Sequence, residues 1–279
     1  MNFAWFLLAV LSGFFDVGYN TLSRFALKDG EKSIHYAWIF SVFRSILFLI
    51  PALFFSQFVP TSRGVLILVL LGAANFLNIY LFMKMHSLNH LSASSILSRL
   101  RMVWVPLISF AILGERLLTK EYLGIAVLFL AVFLIISPKR LIKDKAVTTA
   151  LFFSFTAAVV TVLIKVAAEI TTTPMIIFAM SVPTALLLPL LKHKRGELLK
   201  DWRKDLGQKI LITVLSILLL YTFIWALELG GTVSKVTAIF QSTAALSVFS
   251  GMIFLKERED LWHRVAGAGL IVAGALLLI

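Results

Sequence analysis

The 279-residue chain contains no cysteine. Disulfides, cysteine-ligated zinc, thiolate-bound haem and iron–sulfur clusters are thereby excluded. Charge is also sparse, with 14% of residues Asp, Glu, Lys or Arg. Acids are the scarcer kind, 14 against 26 bases, which leaves a net charge of +12. The pattern Gly-x-x-x-x-Gly-Lys-Ser/Thr is missing, so ATP hydrolysis through a P-loop is excluded. The alternation of apolar and polar residues that marks a membrane β-strand is missing too. Segments such as Val65–Leu71 and Ile210–Leu220 are nearly continuously apolar instead. A basic leader is lacking at the N-terminus, and the first apolar stretch carries Asp16 and Arg24 with no clear cleavage site, so it reads as a span rather than a removable signal.

What remains is hydrocarbon: 60% of residues are hydrophobic and the mean hydropathy is +0.97. A soluble domain cannot cover that much apolar surface, because its helices need a polar face. A bilayer span needs about 20 mostly apolar residues. Windows of that kind fall near 3–27, 35–56, 64–85, 91–113, 118–137, 146–168, 174–191, 209–229, 233–255 and 261–279. Backbone groups in hydrocarbon must pair within the segment, so these read as helices. The expected fold class is all-α, a polytopic membrane protein of about ten transmembrane helices.

The positive charge raises nucleic-acid binding, but the basic residues sit in loops between spans, so no nucleic-acid partner is expected. Membrane lipids are the expected neighbours of those loops. One set of alternate loops, running from Lys28 to Arg264, holds sixteen Lys and Arg, against three in the other set: Arg63, Arg116 and Lys120. Positive loops stay cytoplasmic, which would put both termini outside.

The chain also repeats itself. Ser92 through Glu115-Arg116 and Ser234 through Glu257-Arg258 each open with serine, run apolar, and close on Glu-Arg at the same spacing. A final span follows each, with Gly124 and Gly267 in its first turns. Asn20-Thr21-Leu22-Ser23-Arg24 rhymes with Thr161-Val162-Leu163-Ile164-Lys165. The expected division is a five-helix repeat over 1–137, a basic linker over 138–145 and a second five-helix repeat over 146–279. An odd helix number per copy turns the second copy upside down, a common plan for secondary transporters.

These features together resemble the drug/metabolite transporter superfamily, specifically its EamA-like ten-helix members. The resemblance covers essentially the whole chain. It is carried by Phe43-Arg44, Tyr80 through Leu88, the exit Gly114-Glu115-Arg116-Leu117, and the weaker second copy ending Lys256-Glu257-Arg258. It implies a solute carrier with a central cavity, not an enzyme. Many such relatives keep both termini in the cytoplasm, opposite to the charge count.

Ionisable residues within the spans are Asp16, Arg24, Arg44, Lys84, Arg99, Arg101, Lys165, Glu169, Glu228 and Lys235. Charges at bilayer depth face the interior and mark solute paths or structural pairs. Arg44 and Arg101 lie near midplane, with Asp16 the only deep acid in the first helix, so an anionic solute would supply missing charge. Arg99 projects roughly 200° away from Arg101. Where relatives often carry an acid followed by proline, this chain has Arg101-Met102, which argues against a cationic drug. Asp16 serves either as a coupling-ion ligand or as a fixed counter-ion of Arg44 or Arg101. Lys84, Arg24, Lys165, Glu169, Glu228 and Lys235 fall near span ends, where long side chains snorkel. Glu115-Arg116 sits at a helix exit and reads as a turn-fixing pair.

The candidate substrate-binding set is Arg44, Arg101, Asp16, Tyr19, Asn20, Asn75, Asn78, Tyr80 and Gln241. Polar groups of this kind also glue helices. Gly269 and Ala273 form a small-residue step suited to close helix contact or a homodimer seam. His86 and His90 are one turn apart without a third ligand, so no metal and no cofactor is expected. The expected function is secondary transport of a small-molecule substrate by alternating access, as a permease or exporter in the cell's inner (plasma) membrane. The expected substrate is an organic anion: a phosphate, phosphonate or carboxylate. An amino-acid or zwitterionic metabolite exporter is the alternative, and a lipid-phosphate flippase or membrane-embedded enzyme the alternative of another class.

Overall fold

The structure, a computed structural model, describes residues 3–26, 32–87, 100–136, 145–190, 206–243 and 261–278. Among them ten α-helices follow one another: α1 (Ala4–Ala26), α2 (Lys32–Phe54), α3 (Ser62–Ser87), α4 (Arg101–Leu113), α5 (Thr119–Ile136), α6 (Lys145–Ala168), α7 (Thr173–Leu187), α8 (Leu206–Glu228), α9 (Val233–Ser242) and α10 (Leu261–Leu278). No strand occurs among the described residues. Six helices are long and apolar enough to cross a membrane: α1, α2, α3, α6, α7 (continued by a short 3-10 turn) and α8. The shorter α4 and α9 fall inside the fourth and ninth expected spans. The rest of those spans lies outside the described residues, as do Ser92, Arg99 and Glu257.

Helices form here because each segment must satisfy its own backbone in hydrocarbon. Proline occurs inside α2 (Pro51), α4 (Pro106) and α7 (Pro183). Close contacts surround two of them. The Ser109 hydroxyl donates to the Pro106 carbonyl at 3.3 Å, and α3 approaches the Ala179 carbonyl opposite Pro183 so closely that a Cβ on Gly72 would stand 2.7 Å from it.

The helices pair mostly across the two repeats: α1 with α8, α3 with α6, α2 with α7, α5 with α10, α1 with α9, α4 with α6, and α4 with α9. Exchange α1–α5 for α6–α10 and this pattern maps onto itself. The α1–α8 pair becomes α6–α3, α1–α9 becomes α6–α4, and the other three map to themselves. That is the mark of a pseudo-two-fold axis. With five crossings per repeat the axis lies in the membrane plane and the repeats are inverted.

α6 and α8 are the most buried long helices, each half inside the bundle. Outward faces are apolar and wide open, as at Leu7 on α1, Ile46 and Ile50 on α2, and Leu107 on α4. In lipid this exposure carries no penalty. Gly124 of α5 and Gly274 of α10 bring their backbones together; a Cβ on either would stand 3.0 Å from the other's carbonyl oxygen. The expected small-residue contact of the last helix is therefore made by Gly274. A Cβ on Gly269 would meet nothing within 4 Å. Five residues separate the two positions, about 140° around the helix beyond a full turn, so only one of them faces the partner helix.

Candidate substrate site

α2 presents Tyr36, Phe40 and Arg44 at four-residue spacing, hence on one face. All three are buried, Arg44 to 4% exposure near the middle of the helix. The guanidinium carbon lies 4.9 Å from the centre of the Phe40 ring. Tyr19 of α1 meets the same ring edge-on at 6.5 Å. Tyr19 stands within electrostatic reach of both Asp16, one turn earlier on α1, and Arg44. So Arg44 is met by aromatic rings and a phenol; among the described residues no carboxylate pairs with it, and its buried Nε has no hydrogen-bond partner. Asp16 has partners of its own.

Arg101 opens α4 and reaches across to the second repeat. It donates to the Thr161 hydroxyl of α6, which in turn donates to the Ala157 carbonyl at 2.7 Å. Its guanidinium lies over the Phe240 ring of α9 at 5.6 Å. Gln241 follows Phe240 and is buried. Phe240 is held edge-on by Phe223 of α8 at 5.5 Å. The sequence showed Thr161 only as the counterpart of Asn20 in the helix rhyme; its bond to Arg101 needed the fold.

The remaining candidates distribute differently. Asn75 donates to the Met180 carbonyl of α7 at 2.8 Å, and Asn78 accepts from the Thr156 hydroxyl of α6 at 3.2 Å. Both join helices. Asn20 turns back to the Asp16 carbonyl of its own helix at 2.9 Å. Tyr80 is half-buried on α3. The structure thus gathers Asp16, Tyr19 and Arg44 at one place, and sets Arg101 against Phe240, the residue before Gln241, at another.

Three span-end residues that sequence assigned to snorkelling have protein partners instead. Lys165 donates to the Leu227 carbonyl at 3.2 Å, Glu228 accepts from the Thr173 hydroxyl at 3.0 Å, and Lys235 pairs with Glu121 at 2.5 Å. Glu115 also does more than fix a turn. Gly114 ends α4 with φ of 65°, and the Glu115 amide bonds back to the Ser109 carbonyl at 3.3 Å. This left-handed cap throws the Glu115 carboxylate onto the first amides of α9 in the other repeat. Replacing Gly114 by alanine places a Cβ in a conformation it disfavours by about 1–2 kcal/mol. A lower apparent Tm of Gly114→Ala in detergent is the expected result, and an unchanged Tm would show that the cap is not strained.

Ten helices in inverted halves, packed around a buried Arg44, a half-buried Arg101 and polar side chains, define a multi-pass membrane carrier of small molecules. The family model described as the EamA-like transporter family matches residues 3–137 and again 144–279. The chain belongs to the EamA-like transporter family. One solved structure, titled only as the crystal structure of a protein, is similar over 97% of both chains, with a TM-score of 0.68 at 16% identity. That likeness concerns the fold. No curated protein matches the chain. Members of the family are transporters, so the chain has a small-molecule substrate and works within lipid.

Proposed function

We propose that this transporter carries a small organic anion of phosphate, phosphonate or carboxylate type by alternating access, in the cell's inner (plasma) membrane, with Arg44 and Arg101 as its cationic contacts. The burial of Arg44 carries the proposal. A guanidinium at the centre of a span costs at least about 2.5–3.5 kcal/mol. Its cation–π contact with Phe40 returns roughly 0.5–2 kcal/mol. An anion held bidentately by the guanidinium fork supplies further compensation and engages the Nε donor that protein atoms leave idle. Arg101 adds a second fork against an aromatic wall.

A specific observation supports a second reading. Asp16 and Arg44 flank the same phenol, so a zwitterion with its ammonium toward Asp16 and its carboxylate toward Arg44 also suits this place.

A thermal-shift screen of detergent-purified protein tests both. A ligand at 100 times its Kd stabilises the native state by about 2.7 kcal/mol. The expected result is stabilisation by small phosphates, phosphonates or carboxylates, lost in Arg101→Ala. Stabilisation by amino acids alone, kept in Arg101→Ala and lost in Asp16→Asn, would replace the anion reading with the zwitterion one.

A further inference from the structure

A tight group of bonds joins the two repeats at one membrane face, the one where α4 ends and α9 begins. Oε1 of Glu115 accepts from the Val233 amide at 2.8 Å, and Oε2 accepts from the Ser234 amide at 3.3 Å and the Ser234 hydroxyl at 2.6 Å. The Ser109 and Ser234 hydroxyls share a further bond at 3.0 Å. One residue on, Lys235 pairs with Glu121 from the first turn of α5, their side chains only 15% and 9% exposed. A carboxylate against the first amides of a helix also gains from the helix dipole. Every one of these bonds runs from the first repeat to the second.

Other bonds at this face lie within the second repeat. Lys165 of α6 and Thr173 of α7 hold the end of α8 through Leu227 and Glu228. They make that repeat a single body there. Separation of the repeats leaves them intact and breaks the Glu115 set.

α9 connects the Glu115 set to Arg101. α9 runs inward from Ser234 through buried Thr237 to Phe240 and Gln241, and Phe240 is the ring under the Arg101 guanidinium. Pinned at its first turn, α9 stands between this face and the arginine. We propose that Glu115 is the latch of a gate. Its carboxylate, aided by the Glu121–Lys235 pair, holds α9 shut against the α4–α5 corner, and opening of the carrier at this face requires those bonds to release. The proposal does not depend on the substrate being an anion.

The absence of native cysteine gives a direct test. Thr237→Cys reports from behind the latch. Ser23→Cys, buried near the end of α1 at the opposite face, serves as the counter-reporter. Each is labelled with a polar maleimide in nanodiscs, with no substrate present. Loss of a charged hydrogen bond shifts an opening equilibrium about tenfold. Adding Glu115→Gln is expected to speed labelling of Cys at 237 about tenfold while labelling at 23 stays level or slows. Should Glu115→Gln not fold, Ser234→Ala removes the hydroxyl arm and its bond to Ser109, leaves both amide arms, and is expected to give about a threefold change in the same direction. Labelling at 237 that does not respond to either variant overturns the latch. So does labelling that rises at both positions together, since a merely structural bond loosens the whole bundle and not one face.

Discussion

Arg44→Met is expected to abolish stabilisation by the anions that protect the parent protein, without lowering the Tm of the ligand-free state. The two halves of this expectation come from one fact. Arg44 is buried to 4% exposure between Phe40 and Tyr19, with no carboxylate paired to it among the described residues. Breaking a buried ion pair strands the other charge and costs several kcal/mol. Among the described residues there is no paired carboxylate to strand. Methionine occupies a similar path through the helix interface and removes a desolvated charge, so the ligand-free protein has little to lose. Binding loses the guanidinium fork, and each charged hydrogen bond of it is worth about 1.5–3 kcal/mol, roughly tenfold to more than a hundredfold in Kd. Isothermal titration or thermal shift reads both quantities. A large drop in the ligand-free Tm with the ligand shift retained would make Arg44 a structural residue and remove the ground of the anion proposal.

Gly13→Ala is expected to destabilise the bundle by about 1–3 kcal/mol, the usual cost of overpacking a tight contact, and toward the upper end of that range. α1 crosses α9 so closely that a Cβ at position 13 would fall 1.9 Å from the Thr243 hydroxyl oxygen and 2.6 Å from its Cβ. Rotating the threonine side chain relieves the first clash and not the second. The helices must part, and α9 carries Phe240 against Arg101, so parting also disturbs the substrate site. Thr243→Gly removes the obstructing atoms. The double variant Gly13→Ala/Thr243→Gly is therefore expected to recover most of the lost stability, a coupling that a double-mutant cycle measures directly. Additive losses in the cycle would mean that the two residues do not meet.

Much of this architecture is written locally in the chain. A span declares itself through about 20 consecutive apolar residues, because hydrocarbon leaves a backbone no other partner than its own helix. The repeat is legible for a similar reason. Ser92 to Glu115 and Ser234 to Glu257 keep the same spacing, and spacing along a helix is a local property. Arg44 and Arg101 stand out because charge at bilayer depth is costly whatever surrounds it.

What surrounds each group is a different matter, since it is set by which helix faces lie together. The sequence placed Asn75 and Asn78 among cavity candidates, and the fold turned both toward neighbouring helices. The sequence marked Gly269 with Ala273 as the small-residue step, while the close contact falls at Gly274. The five-residue separation of the two glycines turns Gly274 toward Gly124 and Gly269 toward open space. Glu115 read as a turn residue from its place after Gly114, yet its partners lie 118 and 119 positions away. Composition and periodicity alone thus determined that this is a ten-span, two-repeat membrane protein with arginines at depth. Only the tertiary structure decided that Arg44 rests on Phe40, that Arg101 reaches Thr161, and that Glu115 pins α9. A hydrophobic pattern records what each helix must hide from water or show to lipid, and carries no record of which helix stands opposite.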